Sequence, residues 1–455
     1  MTSLADLGSV ETNVIAIIIL ALVPIVIILV LMPIWMRFAR AKGWIGKEIH
    51  KVNRPEVPES GGTVFFVGLV TGILLLRLFY PQFANEIWIL LLSVIIAGLI
   101  GFVDDRKRLS PFVKIFSVLI AGLPFLVTSL SKFISLGTPI VIPILGELRL
   151  SIIYPLVTPL IIAVSTNTVN MLEGYNGEGA GTCLIVGVAM LIGGIIQNSA
   201  IAVIFIIPFI AAIVGFLKFN KYPARVFPGD IGTLTMGSMI GGVMILGGIE
   251  VATFCALLAH IFNSFYVIIS IRGLRESHTV KKKDIIVLPD NRIQASTETG
   301  APVTLPRLLL AHGELTEPKL VHHFWKLSII TSCFGVIAAI LTTWTKDPAS
   351  INQELLPLYL VIIGVCLTIF GVLYWKNPRL RGITFIMLLL LLVGLGLLFI
   401  IDRIVEPLEF PFDLLLTAII VIPALAIWYI LQNRLFWRTV NRYRANFTPL
   451  PPKTT

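Results

Sequence analysis

The sequence predicts an all-α protein that crosses a lipid bilayer many times. Hydrophobic residues make up 56% of its 455 residues and charged residues 13%, with a mean hydropathy of +0.94. That is more apolar surface than a soluble fold of this length could bury. Apolar stretches long enough to cross ~30 Å of hydrocarbon fall near 13–33, 61–79, 86–103, 112–130, 151–170, 179–195, 199–217, 232–248, 249–270, 327–345, 357–374, 382–401 and 412–432, giving about 13 transmembrane helices. The basic residues also alternate in position. If the N-terminus lies outside, the inner loops 34–60, 104–111, 171–178, 218–231, 271–326, 375–381 and the tail from 433 carry 29 of the 35 Lys and Arg residues, as cytosolic loops do.

The first apolar run is too long for a signal-peptide core and lacks a small-residue cleavage pattern after it, so it reads as a retained helix. Between the fourth and fifth spans, the alternating run Pro139-Ile140-Val141-Ile142-Pro143, followed by Gly146 and Leu148-Arg149-Leu150, predicts a small outer β-hairpin near 138–150. Residues 271–326 form the longest inner loop, with a Lys281-Lys282-Lys283 cluster. The expected organisation is a membrane core over 1–345 that includes this cytosolic loop, and an extra membrane region over 346–455. The formal charge of +10 is accounted for by membrane topology, since no stretch is polar enough to form a nucleic-acid-binding face. Cys183, Cys255, Cys333 and Cys366 all lie in apolar runs and read as buried small hydrophobes.

The polar residues gather at the inner ends of the helices. A transporter more often places ionisable groups near the midplane, where here only Glu250, His260 and Asn263 come close. Asp104 and Asp105 end the third span. Ser110-Pro111 then reads as a helix start, Ser as N-cap and Pro at the first position, which puts Lys114 one turn into the fourth span. A lysine entering hydrocarbon there wants a carboxylate or a phosphate. Asn167 and Asn170 share a helix face. Their amide oxygens suit Mg²⁺ and their NH₂ groups suit phosphate or a uracil edge. Glu173-Gly174-Tyr175-Asn176-Gly177 is a turn that a nucleotide could approach closely. Asp230 opens the eighth span, as a helix cap or, with Asn170, as a ligand of Mg²⁺, which takes few protein oxygens and completes its shell with substrate phosphates.

Four segments together resemble the polyprenyl-phosphate N-acetylhexosamine-1-phosphate transferase family, in its dolichyl-phosphate branch. They are Asn53-Arg54-Pro55-Glu56-Val57-Pro58-Glu59-Ser60-Gly61, Asp104-Asp105 with Lys114, Asn167-Thr168-Val169-Asn170 with Gly174 and Asn176, and Arg225-Val226-Phe227-Pro228-Gly229-Asp230. The resemblance covers about 10–345 and implies a ten-helix core, with three further helices added here. It implies transfer of N-acetylglucosamine 1-phosphate from UDP-N-acetylglucosamine to a polyprenyl (dolichyl) phosphate with release of UMP, the first step of lipid-linked oligosaccharide synthesis for N-glycosylation. A different UDP-sugar donor, or a lipid or ion transporter without chemistry, is the alternative. The resemblance also implies Mg²⁺, with Mn²⁺ as a substitute, held by Asn170 and Asp230. Uridine would be placed by Gly174, Asn176 and Phe227, the nucleotide site would include Glu59, and Lys114 would lie near the lipid phosphate. Where the branch carries an Arg-His-Arg run before its tenth helix, this chain aligns Asp290-Asn291-Arg292 and keeps the last arginine for sugar contacts. Asp105 is the candidate base and Asp104 the candidate orienter of Lys114, with the two roles interchangeable, beside Asn167. The expected setting is an archaeal-type cell membrane, or endoplasmic reticulum, with the active site cytosolic, no nucleic acid, and a homodimer allowed.

Overall fold

The computed structural model describes residues 3–7, 10–131, 140–143, 146–147, 154–271, 282–348, 355–404 and 412–448, with the side chains of 6, 10–12, 147 and 395–425 excepted. In chain order the main elements begin with α1 (Val10–Ala41), β1 (Ile45–Lys47), β2 (Glu56–Pro58), α2 (Gly62–Phe79), α3 (Ala84–Lys107) and α4 (Pro111–Leu130). Next come β3 (Val141–Ile142), β4 (Gly146–Glu147), α5 (Tyr154–Leu172), α6 (Glu178–Ile196), α7 (Ala200–Asn220), α8 (Gly229–Gly247), α9 (Glu250–Ala256) and α10 (Leu258–Ile271). The chain continues through β5 (Ile285–Val287), β6 (Arg292–Ala295), α11 (Leu305–Leu309), β7 (Leu315–Thr316), α12 (Glu317–Lys346), α13 (Leu356–Lys376), α14 (Pro378–Ile404) and α15 (Phe412–Arg442).

Each of the thirteen apolar stretches falls on a helix or helix pair. Ten helices among the described residues are long and apolar enough to cross a membrane, and α9 with α10 makes an eleventh if counted as one span. The protein is a multi-pass membrane protein. The stretch 249–270, which the sequence presents as one helix, is broken at Leu257 with a 63° bend. The break is tolerated because Thr331 Oγ1 donates to the buried Ala256 carbonyl at 2.9 Å, the kind of side-chain replacement that lipid-embedded backbone requires. The expected hairpin is present as β3 paired antiparallel with β4, Val141 opposite Glu147; its remaining residues, 138–139, 144–145 and 148–150, lie outside the described residues.

Two compact units are formed. The first comprises Met1–Ser264 and Phe324–Leu367, and the second Phe265–His323 and Thr368–Thr455. In the first, α8 packs on α3 and α5, and α4 packs on α5 and α3. Helix α8 is rich in Gly, Ser and Thr and is enclosed on almost all sides, since small residues let membrane helices approach closely. Helices α1, α3 and α4 carry rows of exposed Ile, Leu, Val and Phe, as lipid-facing surfaces do.

The second unit contains the long inner loop, which is folded rather than irregular. Strands β5, β6 and β7 form an antiparallel sheet in that order, with Ile285 opposite Ala295 and Arg292 opposite Thr316. Arg307 is buried at its centre and donates to the carbonyls of Ser296, Glu298, Ala301 and Pro302 at 2.7–3.2 Å, with its guanidinium 4.6 Å from the Phe436 ring. Burial pushes its pKa down to about 10, so it remains charged at neutral pH. A guanidinium with four such bonds fixes the loop, because losing it would orphan several buried carbonyls.

Candidate active site

The ends of α3, α5 and α7 meet the beginnings of α2, α4, α6 and α8 at one end of the first unit. Ser110 caps α4 by accepting from Val113 N–H, and Pro111 opens the helix. This start places Lys114 facing inward, where it is buried. Its Nζ lies 2.9 Å from Asp104 Oδ2 and 2.5 Å from Asp230 Oδ1. Asp104 also receives the Leu109 N–H at 2.7 Å, which shapes the turn between α3 and α4. The adjacent Asp105 points instead to α8, accepting from the Asp230 N–H at 2.6 Å.

Asp230 is not the cap of α8. That position is Pro228, with no side-chain cap, and the Asp230 carboxylate turns to Lys114 and to Asn170, whose Nδ2 donates to it at 2.6 Å. The same Nδ2 donates to Thr233 Oγ1 at 2.7 Å. Both amide hydrogens are therefore used, and the Asn170 oxygen is left as an acceptor. Asn167 has other partners, donating to the Ala163 carbonyl at 2.9 Å and to the Ile115 carbonyl of α4 at 3.5 Å. The two amides do not act as a pair.

Glycines make these approaches possible. Gly229 has φ +66°, a left-handed conformation that side chains rarely adopt, and a Cβ there would stand 2.5 Å from an Asp105 carboxylate oxygen. A Cβ on Gly101 would lie 2.5 Å from the Asp230 carbonyl oxygen. So α3 and α8 touch backbone to backbone beside the carboxylates.

Two aspartates, Asp104 and Asp230, face one lysine, and Asp105 lies beside them on the Asp230 N–H, so the three carboxylates outnumber the one ammonium. Among the described residues no three His, Cys, Asp or Glu side chains converge in metal-ligand geometry. A cation here would rest on few protein oxygens, Asp230 and the Asn170 carbonyl, as Mg²⁺ does where phosphates complete its shell. The excess charge and the hard oxygen donors fit such an ion.

Residues 87–248 match the profile described as Glycosyl transferase family 4. A protein of Sulfolobus acidocaldarius named "Putative UDP-N-acetylglucosamine--dolichyl-phosphate N-acetylglucosaminephosphotransferase" is 30% identical over 313 residues, 67% of this chain and 90% of the relative. A glycosyltransferase-named protein of Methanocaldococcus jannaschii is 28% identical over 299 residues, 65% of this chain and 88% of its own. The Phospho-N-acetylmuramoyl-pentapeptide-transferase of Latilactobacillus sakei is 27% identical over 266 residues, covering 56% and 82%. The chain belongs to the polyprenyl-phosphate N-acetylhexosamine-1-phosphate transferase family.

In this transferase the other sequence-identified residues fall into the two units, Glu59, Gly174, Asn176 and Phe227 in the first and Arg292 in the second. The Glu59–Gly61 segment is zipped to the start of α8. Gly61 N–H donates to the Phe227 carbonyl at 2.8 Å, Gly62 N–H to the Pro228 carbonyl at 2.9 Å, and Phe227 N–H to the Pro58 carbonyl at 2.9 Å. Glu59 packs over Gly46, and its carbonyl accepts from Trp35 Nε1 at 3.2 Å. Gly174 donates its N–H to Glu178 Oε2 at 3.0 Å, as does Tyr175 at 3.1 Å. Asn176 is buried, its Nδ2 donating to Glu48 at 2.7 Å. Arg292 belongs to the second unit, where it is exposed and paired with Asp290 at 2.5 Å and with Glu314.

Several residues in the transferase site escaped the sequence reading. Arg106 stacks 3.7 Å over Trp44 and donates to Ser60; in sequence it is one of three basic residues in an inner loop and carries no distinguishing signal. His50 stacks on Tyr175 at 4.1 Å, and burial lowers its pKa to about 4. Thr233 could have been found from its position one turn after Asp230.

Proposed function

We propose that the protein transfers N-acetylglucosamine 1-phosphate from UDP-N-acetylglucosamine to a dolichyl-type polyprenyl phosphate, releasing UMP, as the first step of lipid-linked oligosaccharide assembly for N-glycosylation. The observation that carries this reading is Lys114, held between Asp104 and Asp230 at the end of the helix bundle. An ammonium at the edge of an apolar bundle, beside carboxylates that suit a divalent cation, is the equipment for handling phosphates. The names of the archaeal relatives support the donor and the lipid.

A phosphate monoester has a second pKa of ~6, so the lipid phosphate arrives mostly ionised and needs little help from a base. Lys114 would hold it and offset the charge that develops on transfer. Asp104 would orient Lys114, and Asp105 would accept a proton when the lipid arrives as a monoanion. Mg²⁺ or Mn²⁺, taken by Asp230 and the Asn170 carbonyl, would supply neutralisation of the donor diphosphate. Gly174, Asn176, Phe227 and Glu59 would define the nucleotide side, with Asn167 supporting α5 against α4.

The basic residues at this end, among them Arg40, Lys42, Lys47, Arg106, Lys107, Lys218 and Arg225, favour a cytosolic site in an archaeal-type cell membrane. The deciding experiment supplies UDP-N-acetylglucosamine labelled at the β-phosphorus with a polyprenyl phosphate. Label in the lipid product, with unlabelled UMP in solution, is expected. Label in released UDP would make the reaction attack at the anomeric carbon and overturn the reading. A panel of other UDP-sugars tests the donor.

A further inference from the structure

The second unit holds a cavity of about 380 Å³ between the turn that follows α11, the start of α14 and the end of α15. Its lining includes Arg379, Arg381, Arg438, Arg442 and His312, and no Asp or Glu. None of the four arginines forms an ion pair with a carboxylate among the described residues. Arg379 donates from Nη1 to the carbonyls of Leu309 and Gly313 at 2.9 and 2.8 Å. Arg381 donates to the Tyr374 and Trp375 carbonyls at the end of α13. Arg438 and Arg442 stand one helical turn apart on α15, a like-charge spacing that costs a few tenths of a kcal/mol unless something between them is negative. His312 Nδ1 is buried without a hydrogen bond. Burial and the neighbouring Arg379, Arg381 and Arg442 push the His312 pKa down to about 4, so the ring is neutral and can donate one N–H. Cations converge here with no carboxylate among the described lining residues to neutralise them.

We propose that this cavity binds the phosphate headgroup of an anionic membrane lipid. Guanidinium groups match phosphate oxygens in pairs, and the volume is that of a small-ligand site. A lipid, rather than a soluble phosphate, is favoured by the walls that lead away from the cavity. Phe385 and Leu389 on α14 and Ile427, Ile430 and Leu431 on α15 are exposed apolar side chains along the same two helices, and they offer an acyl chain a surface. Trp375, 71% exposed and 5.7 Å from the Arg381 guanidinium, is placed as an interfacial anchor is. This site lies apart in sequence from the transferase core motifs and does not depend on the reading of the reaction.

The test uses the full-length protein in neutral detergent, with bound lipid counted by native mass spectrometry and the unfolding midpoint followed on addition of phosphatidylglycerol, phosphatidylcholine or inorganic phosphate. Phosphatidylglycerol is expected to be retained and to raise the midpoint by several degrees, and the other two to do neither. Arg438→Gln/Arg442→Gln should weaken retention about tenfold, whereas Arg438→Lys/Arg442→Lys, which keeps the charge but loses the fork, should weaken it less. Arg37→Gln/Arg40→Gln, the same charge change on α1, should leave it unaltered. Equal retention by the Gln pair, an equal loss in the α1 control, or stabilisation by inorganic phosphate alone would each overturn the proposal.

Discussion

Lys114 on α4 and Asp230 on α8 are 116 residues apart in the chain and meet at 2.5 Å, with Asp104 on the other side of the ammonium at 2.9 Å. One lysine thus ties three helix ends. Lys114→Met should lower turnover by about 10²–10³-fold, as loss of one electrostatic donor does, while UDP-sugar affinity changes only a few-fold. Because the single change strands two carboxylates at a cost of several kcal/mol, Asp104→Asn/Lys114→Met serves as the stable comparison. Steady-state kinetics and donor binding on both variants check this, and turnover near that of the wild type would remove Lys114 from the chemistry.

The contact of α3 with α8 gives a second expectation. A Cβ on Gly101 meets the Asp230 carbonyl oxygen at 2.5 Å and Ile231 Cα at 2.6 Å, both backbone, whereas a Cβ on Gly98 meets the Phe66 ring at 2.6 Å, which can turn aside. Gly101→Ala should therefore cost about 1–3 kcal/mol of stability and also reduce activity, by parting Asp105 from the Asp230 N–H. Gly98→Ala should be milder in both. Unfolding midpoints and turnover of the two variants decide the order.

Glu173 gives a pH dependence with a definite sign. Its half-buried carboxyl accepts from Gly179 N–H at 2.7 Å, and desolvation raises its pKa from 4.5 to about 7. The folded state holds this proton more tightly than the unfolded state. Stability from the site is complete below pH 4.5 and is lost as pH rises through 7, a swing of order 3 kcal/mol. Glu173→Gln keeps an oxygen for Gly179 and has no charge to bury. It should be more stable than wild type above pH 7 and lack the slope between 4.5 and 7. Parallel slopes in the two proteins would mean that another group titrates.

The meeting of Asp104, Asp105, Lys114, Asn170 and Asp230 was legible because polar residues are scarce in so apolar a chain, and those at the inner helix ends could be sorted by topology alone. Ser110-Pro111 marked the start of α4 and hence put Lys114 one turn into it, while its inward direction is given by the structure. The adjacent Asp104 and Asp105 were not separable, since neighbours on a helix point about 100° apart and nothing local says which direction is inward. The structure divides them, Asp104 to Lys114 and Asp105 to the Asp230 backbone. The break at Leu257 was invisible for a different reason. Both halves are apolar, and the group that permits the bend, Thr331, lies 75 positions from Ala256. The fold of the long inner loop was hidden likewise, because Arg307 organises it through main-chain carbonyls that carry no sequence signature.

Thr233 provides the last expectation. It is buried one turn along α8 from Asp230, and its hydroxyl accepts one of the two hydrogens of the Asn170 amide, the other going to Asp230. That arrangement uses both amide hydrogens and leaves the Asn170 oxygen as the atom that would be offered to a cation. Thr233→Val keeps shape and removes the acceptor, so Asn170 is free to rotate and its oxygen is no longer held. Outer partners of metal ligands typically contribute 10–100-fold in affinity. The Mg²⁺ concentration for half-maximal activity should rise about tenfold or more in Thr233→Val, with turnover at saturating Mg²⁺ largely recovered and the KM for donor near that of the wild type. Thr233→Ser, which retains the hydroxyl, should restore the Mg²⁺ response. A purely structural role would lower stability and turnover at every Mg²⁺ concentration alike, and an unchanged Mg²⁺ titration in Thr233→Val would detach Asn170 from the metal.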